Sequence, residues 1–318
     1  MTKPMPTLHD IIAARPNVYR YLAPTPLHYY PGLSDLVGAQ VWVKHENHQP
    51  VGAFKVRGGL NLTAHLSVQE RQAGLFTAST GNHGQSIAFA AQVHGLKATI
   101  AVPEGANPGK VAAMRGLGAE VVFQGQDFDA AREWAMAQAK AEQGLFVGPT
   151  DEPLIGGVGT YALEIIETLP EVQTIIVPVG AGSGACGVGI VAKTVNPKIQ
   201  VIGAQSAQAP AMQLSWKSGQ LITAEMRSFA EGVATRVPFE NTQRIMRKYL
   251  DDFVLVDDAD IKQAIRLLLE HTHNLAEGAG AIPLAAALQL KERLAGQKIA
   301  LVLSGGNLST EKLRDILG

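Results

Sequence analysis

The run Thr174-Ile175-Ile176-Val177-Pro178-Val179 passes into Gly180-Ala181-Gly182-Ser183-Gly184-Ala185-Cys186-Gly187 and then Ile190-Val191-Ala192-Lys193. A short, continuously apolar, β-branched run reads as a strand of a sheet covered on both faces. Glycines directly after it let backbone N–H groups close around an anion, and the positive end of the helix that follows stabilises the charge. Strand, anion cradle and helix together announce an α/β protein whose ligand sits beyond the carboxyl ends of its strands.

Residues 182–187 also satisfy G-x-G-x-x-G, the phosphate turn of dinucleotide folds. That reading requires an acidic ribose ligand at the end of the next strand, where Val201-Ile202-Gly203-Ala204-Gln205 supplies Gln205. The cradle Gly180, Ala181, Gly182, Ser183, Gly184 therefore suits a monophosphate.

The same alternation extends outward. Residues 98–102, 120–123, 174–179, 200–204 and 298–303 read as strands, as does the run 75–78 before Ser79. Residues 85–93, 109–116, 127–141, 158–168, 260–273 and 279–290 read as helices. This pattern predicts mostly parallel sheets wrapped by helices. At 318 residues two lobes are expected. Gly/Pro-rich residues Gly148, Pro149, Pro153, Gly156 and Gly157 suggest one crossing between them, and Val68 to Gly74 the other.

Bulk properties exclude several classes. Net charge is −1 and the basic residues are scattered, which argues against a nucleic-acid partner. With 46% hydrophobic and 17% charged residues the chain reads as globular. No apolar stretch of membrane-spanning length or leader-like run occurs, so a cytoplasmic location is expected. The single Cys186 excludes an intramolecular disulfide. Neither a Walker loop nor a nucleophile elbow is present, and His45, His48, His271 and His273 lack zinc spacing.

Two further segments carry chemistry. In Gly52-Ala53-Phe54-Lys55-Val56-Arg57-Gly58-Gly59 a lysine between two apolar residues opens a helix, a setting that strips water from the amine and favours its nucleophilic neutral form. Ser79-Thr80-Gly81-Asn82-His83-Gly84-Gln85 follows a strand and starts a helix, placing hydroxyls, an amide and free N–H groups where a carboxylate would bind.

These segments, in this order and closed by Ser304-Gly305-Gly306-Asn307, resemble the fold-type II pyridoxal-phosphate enzymes, which are tryptophan synthase β-like. Within them the match is to the serine/threonine dehydratase (ammonia-lyase) and serine racemase group, over nearly the whole chain. The resemblance implies a large cofactor-binding domain of residues 1–73 and 151–318 and a small substrate-carboxylate-binding domain of residues 74–150. It implies that Lys55 forms the Schiff base with pyridoxal 5'-phosphate and that Phe54 packs near it. Asn82 would bond the pyridine 3'-oxygen, Gly180 to Gly184 the phosphate, and Ser304 would face the ring nitrogen, with Glu277 near the ring. Ser79, Thr80, Gly81 and His83 would surround the substrate carboxylate. Serine rather than aspartate at the ring nitrogen weakens the electron sink and favours expulsion of a β-substituent.

The expected activity is α,β-elimination of a β-hydroxy amino acid, with threonine or serine as substrate, to a 2-oxo acid and ammonia. Alternatives are a hydroxyectoine-utilisation, threo-3-hydroxyaspartate or phenylserine-type dehydratase, an amino-acid racemase, or a β-replacement synthase. Racemases of the group carry a second serine where Thr80 stands. Gln205, Ala209 and Ala211 occupy the stretch where some relatives bind a divalent cation, so no metal site is expected. The chain ends eleven residues after Asn307, so a C-terminal regulatory domain is not expected. A homodimer is the family expectation.

Overall fold

Apolar runs flanked by glycine or polar turns become ten strands: β1 (Leu27–Tyr29), β2 (Gln40–His45), β3 (Leu75–Ala78), β4 (Ala98–Val102), β5 (Glu120–Phe123), β6 (Leu145–Phe146), β7 (Thr174–Pro178), β8 (Gln200–Ser206), β9 (Asp252–Val256) and β10 (Lys298–Leu303). The structure, a computed structural model, describes residues 5–318.

The strands form two sheets. One has the order β1-β2-β10-β7-β8-β9 and the other β5-β4-β3-β6. Every pairing is parallel except β1 with β2, where three-residue β1 closes one edge antiparallel. The last strand, β10, lies between β2 and β7, so the larger sheet joins both ends of the chain.

Helices bury both faces of the larger sheet. Ile175, Val177, Val201, Ala300 and Val302 point into one core, while Val41, Val43, Ile176, Ile202, Ile299 and Leu301 point into the other. That division follows the period-two alternation of strand side chains, and both sides are apolar because both are covered. A separate core gathers around Ile100, Val102, Met114 and Val121 of the smaller sheet.

The two stretches expected as crossings, one between β2 and β3 and the other between β6 and β7, contain helices. Pro153 falls in the first turn of the helix Glu152–Val158, where its missing N–H costs nothing. Gly157 lies so close to the Arg57 carbonyl that a Cβ would collide with it. Gly157 thus serves close packing against the helix Lys55–Ala64. Val68–Ala73 is a helix fixed by a capping box between Ser67 and Glu70.

Candidate active site

The glycine turn after β7 is built as its sequence requires. Gly182 has φ +98°, a conformation that costs a side chain dearly, and a Cβ there would meet Thr242 at 2.9 Å. Gly180 presses on the Gly232 carbonyl, leaving no room for a Cβ. Thr242 Oγ1 donates to the Ala181 carbonyl at 2.7 Å, pinning the turn from the helix Glu240–Tyr249. Nothing in the sequence near the turn signals this distant brace. The helix Ser183–Val195 starts inside the turn, so its first N–H groups have no carbonyl partners within the helix.

Lys55 meets this turn. Its Nζ donates to Ser183 Oγ at 2.8 Å and lies 5.2 Å from the centre of the Phe54 ring. Phe54 in turn packs edge-on against Tyr161, whose hydroxyl donates to the Gly184 carbonyl. The lysine keeps a little surface in the cleft, yet its amine is enclosed by protein. That loss of water lowers its pKa from 10.5 to about 8.

The helix carrying Lys55 rests on an ionic knot. Arg57 Nε and Nη2 donate to Glu46, and Nη1 and Nη2 to Glu164, at 2.6–3.0 Å. Lys44 also donates to Glu164, and Tyr19 and the Thr25 N–H add further bonds to it. All four charged residues are buried. Arg57 and Lys44 hold the Glu164 carboxyl below the usual range against the effect of burial, which alone would raise it.

The loop after β3 heads the helix Asn82–His94. Ser79 is held by its N–H to the Ala101 carbonyl, and its hydroxyl accepts from the Gly81 N–H at 3.2 Å. Thr80 and Gly81 keep partial exposure at the helix start. His83 is buried, with Nε2 3.2 Å from the Val147 carbonyl and Nδ1 without a partner. Burial, aided by the charge of Lys55, lowers its pKa to about 4. An imidazole so placed is neutral, donates through Nε2, and leaves Nδ1 as an acceptor.

Asn82 Nδ2 donates to Glu277 Oε1 at 2.7 Å, so two segments far apart in sequence meet. Desolvation raises the Glu277 pKa to about 7. Buried Ser304 follows β10, and its carbonyl accepts from the Phe54 N–H at 3.0 Å. Lys55, Asn82, Glu277, Ser304 and the turn 180–184 are thus brought together by direct bonds or through one intervening residue.

Cys186 is buried in a core with a raised pKa, caused by burial. Gln205 Nε2 bonds the Val233 carbonyl and Thr235, and its oxygen accepts from the Gln213 N–H. Among the described residues no group of three or more His, Cys, Asp or Glu could hold a metal ion.

The family model for pyridoxal-phosphate dependent enzymes matches residues 18–305. The chain is 40% identical over 315 residues to an L-threonine ammonia-lyase of Thermotoga maritima, covering 98% of this chain and 78% of that one. In three dimensions it resembles the processed threonine deaminase isoform 2 of Solanum lycopersicum, with TM-score 0.93, 32% identity, and 97% and 91% of the two chains covered. It resembles maize serine racemase as closely, with TM-score 0.94, 29% identity, and 99% and 97% covered. With its matched region spanning the first three motifs, the start of the fourth and both sheets, the chain belongs to the pyridoxal-phosphate dependent enzymes and has their fold-type II architecture.

Proposed function

We infer that the chain is a pyridoxal-phosphate dependent ammonia-lyase that converts a β-hydroxy amino acid, threonine or serine foremost, to a 2-oxo acid and ammonia. The observation that carries this reading is the amine of Lys55, desolvated and hydrogen-bonded to Ser183 of the glycine turn. The close likeness to a threonine ammonia-lyase along nearly the full chain supports the substrate class.

The residues fit the cofactor. The glycine turn at 180–184, bent through the positive φ of Gly182, and the free N–H groups of the helix Ser183–Val195 suit its phosphate. Asn82 would hold the ring oxygen, Glu277 and Phe54 would flank the ring, and Ser304 would face its nitrogen. When bound, the cofactor supplies an aldehyde that takes up the substrate amine and a π-system that withdraws electrons from Cα.

The protein's part is binding and proton transfer. Ser79, Thr80, Gly81 and the free N–H groups of Asn82 and His83 would orient the carboxylate at the helix start. With Nε2 turned to Val147, His83 would serve there through its backbone N–H rather than its ring. Lys55 Nζ, neutral in a substantial fraction near pH 8, takes the Cα proton. Loss of the β-hydroxyl as water leaves an enamine, which tautomerises and hydrolyses to the 2-oxo acid and ammonia. The division into residues 1–73 and 151–318 against 74–150 is supported by all four strands of the smaller sheet falling within the second range. We place the enzyme in the cytoplasm as a homodimer; light scattering on the purified protein tests the latter.

The reaction is tested by incubating the holoenzyme with L-threonine, L-serine, threo-3-hydroxyaspartate and β-phenylserine and measuring 2-oxo acid and ammonia in equal amounts. Chiral analysis of recovered serine separates the racemase, towards which the maize likeness points. No 2-oxo acid from any substrate, or full activity in Lys55→Ala, would overturn the assignment.

A further inference from the structure

The amide of Asn82 is not free to choose its orientation, and the residue that fixes it lies 225 positions away. Asn307 Nδ2 is 2.8 Å from the Val51 carbonyl and 2.8 Å from Asn82 Oδ1. A carbonyl only accepts, so the group of Asn307 that faces Val51 must be its NH2. The same NH2 faces Asn82, so Asn82 must turn its oxygen towards it. Its own NH2 is then left to meet Glu277, and one of the two N–H bonds is used there.

Asn307 thus donates in two directions, back to the Val51 carbonyl and on to Asn82, and Asn82 donates in turn to Glu277. The Asn307 end is rigid. Gly52, with φ +67°, would press a Cβ to 2.6 Å from Asn307 Oδ1, so the amide oxygen occupies space only glycine leaves. The loop bearing Asn307 is clamped to the lysine loop by Gly306 N–H to the Gly52 carbonyl at 2.9 Å and Phe54 N–H to the Ser304 carbonyl at 3.0 Å. At the far end the Glu277 carboxyl lies against Gly305, where a Cβ would come within 2.5 Å of Oε1.

We propose that Asn307 is a positioning residue that sets the polarity of Asn82, so that Asn82 presents its second N–H, a donor, to the cofactor ring oxygen. The inference rests on the assignment of Asn82 to that oxygen. A donor stabilises the oxygen's anionic form, whereas a flipped amide would point a repelling carbonyl oxygen at it. The two outcomes differ in sign, which makes the orientation consequential for how tightly and in what protonation state the cofactor is held.

The test uses purified holoenzyme as wild type, Asn82→Ala, Asn307→Ala, Asn307→Asp and the double variant Asn82→Ala/Asn307→Ala. Two quantities are read for each: the pH midpoint of the bound chromophore's absorbance change, and the affinity of the apoenzyme for pyridoxal phosphate. Asn307→Ala only deletes atoms at a half-buried position, so it decides the matter even if the charge of Asn307→Asp prevents folding. Asn82→Ala is expected to move the midpoint upward by about one pH unit and weaken cofactor binding about tenfold, the loss of one bond to a charged group. Asn307→Ala is expected to move both in the same direction, and the double variant to add nothing to Asn82→Ala.

A spectrum unchanged by Asn82→Ala would remove the assignment of Asn82 itself. A shift in Asn82→Ala with wild-type behaviour in Asn307→Ala would overturn the positioning role alone. So would additive shifts in the double variant, because Asn307 would then act by another route.

Discussion

The enclosed amine of Lys55 makes a quantitative prediction about how the apoenzyme captures its cofactor. Only a neutral amine attacks an aldehyde. With a pKa of about 8 in place of 10.5, the neutral fraction at pH 7 rises from about 0.03% to about 9%, roughly 300-fold. The perturbation is pH itself. Stopped-flow absorbance after mixing apoenzyme with pyridoxal phosphate between pH 6 and 10 gives the capture rate, divided at each pH by the rate for N-acetyl-lysine to cancel the titration of the aldehyde. This ratio is expected to stay flat at its highest level below about pH 8 and to fall about tenfold per pH unit from there to pH 10. A ratio that does not change across that range would refute the reasoning, since Lys55 would then titrate as a solvated lysine.

Other consequences are separately measurable. Glu164→Gln leaves Lys44 and Arg57 buried with one carboxylate between them, and is expected to cost about 3–5 kcal/mol in urea unfolding of the apoenzyme. Because the Glu164 pKa is depressed, its contribution is complete above the ordinary carboxylate range and is lost as pH falls through the lower folded value. The gap between wild type and Glu164→Gln should therefore narrow on acidification. Glu277 behaves oppositely. Its raised pKa disfavours folding as pH climbs from about 4.5 through about 7, so Glu277→Gln apoenzyme should gain stability relative to wild type across that window. Gly180→Ala drives a methyl into the Gly232 carbonyl and is expected to weaken cofactor binding about 5- to 150-fold, read by fluorescence titration.

Much of this arrangement was legible before any coordinates, and for a physical reason. Strands covered on both faces announce themselves as unbroken apolar runs, so the expected bounds of β4, β5 and β10 agree with the structure residue for residue. Glycines at Gly180 and Gly182 are read correctly as a turn because backbone geometry requires them there. Edge elements such as β1 and the half-exposed β9 lack that signal. The reason for Gly157 was not legible, because a glycine that admits a neighbouring helix looks, in sequence, like one that bends a loop. Bonds between distant residues were invisible. Nothing local to Thr242 marks it as the brace of the turn, and nothing near Glu164 marks it as the hub beneath the Lys55 helix. The direction of the His83 ring depends on the Val147 carbonyl, 64 positions away, and its neutral state on burial and the charge of Lys55.

The place of β10 between β2 and β7 has a consequence for biosynthesis. A ribosome releases the lysine loop about 240 residues before the strand that must lie beside it. Until then β2 has one bare edge, and the loop at Gly52–Phe54 lacks the backbone partners that 304–306 provide. Nascent chains would therefore carry an unfinished cofactor pocket, and nonsense fragments ending before residue 298 would be colourless and prone to sticking edge to edge. Maturation thus has a built-in checkpoint at β10, and colour acquired during in vitro translation should appear only once that strand has left the ribosome.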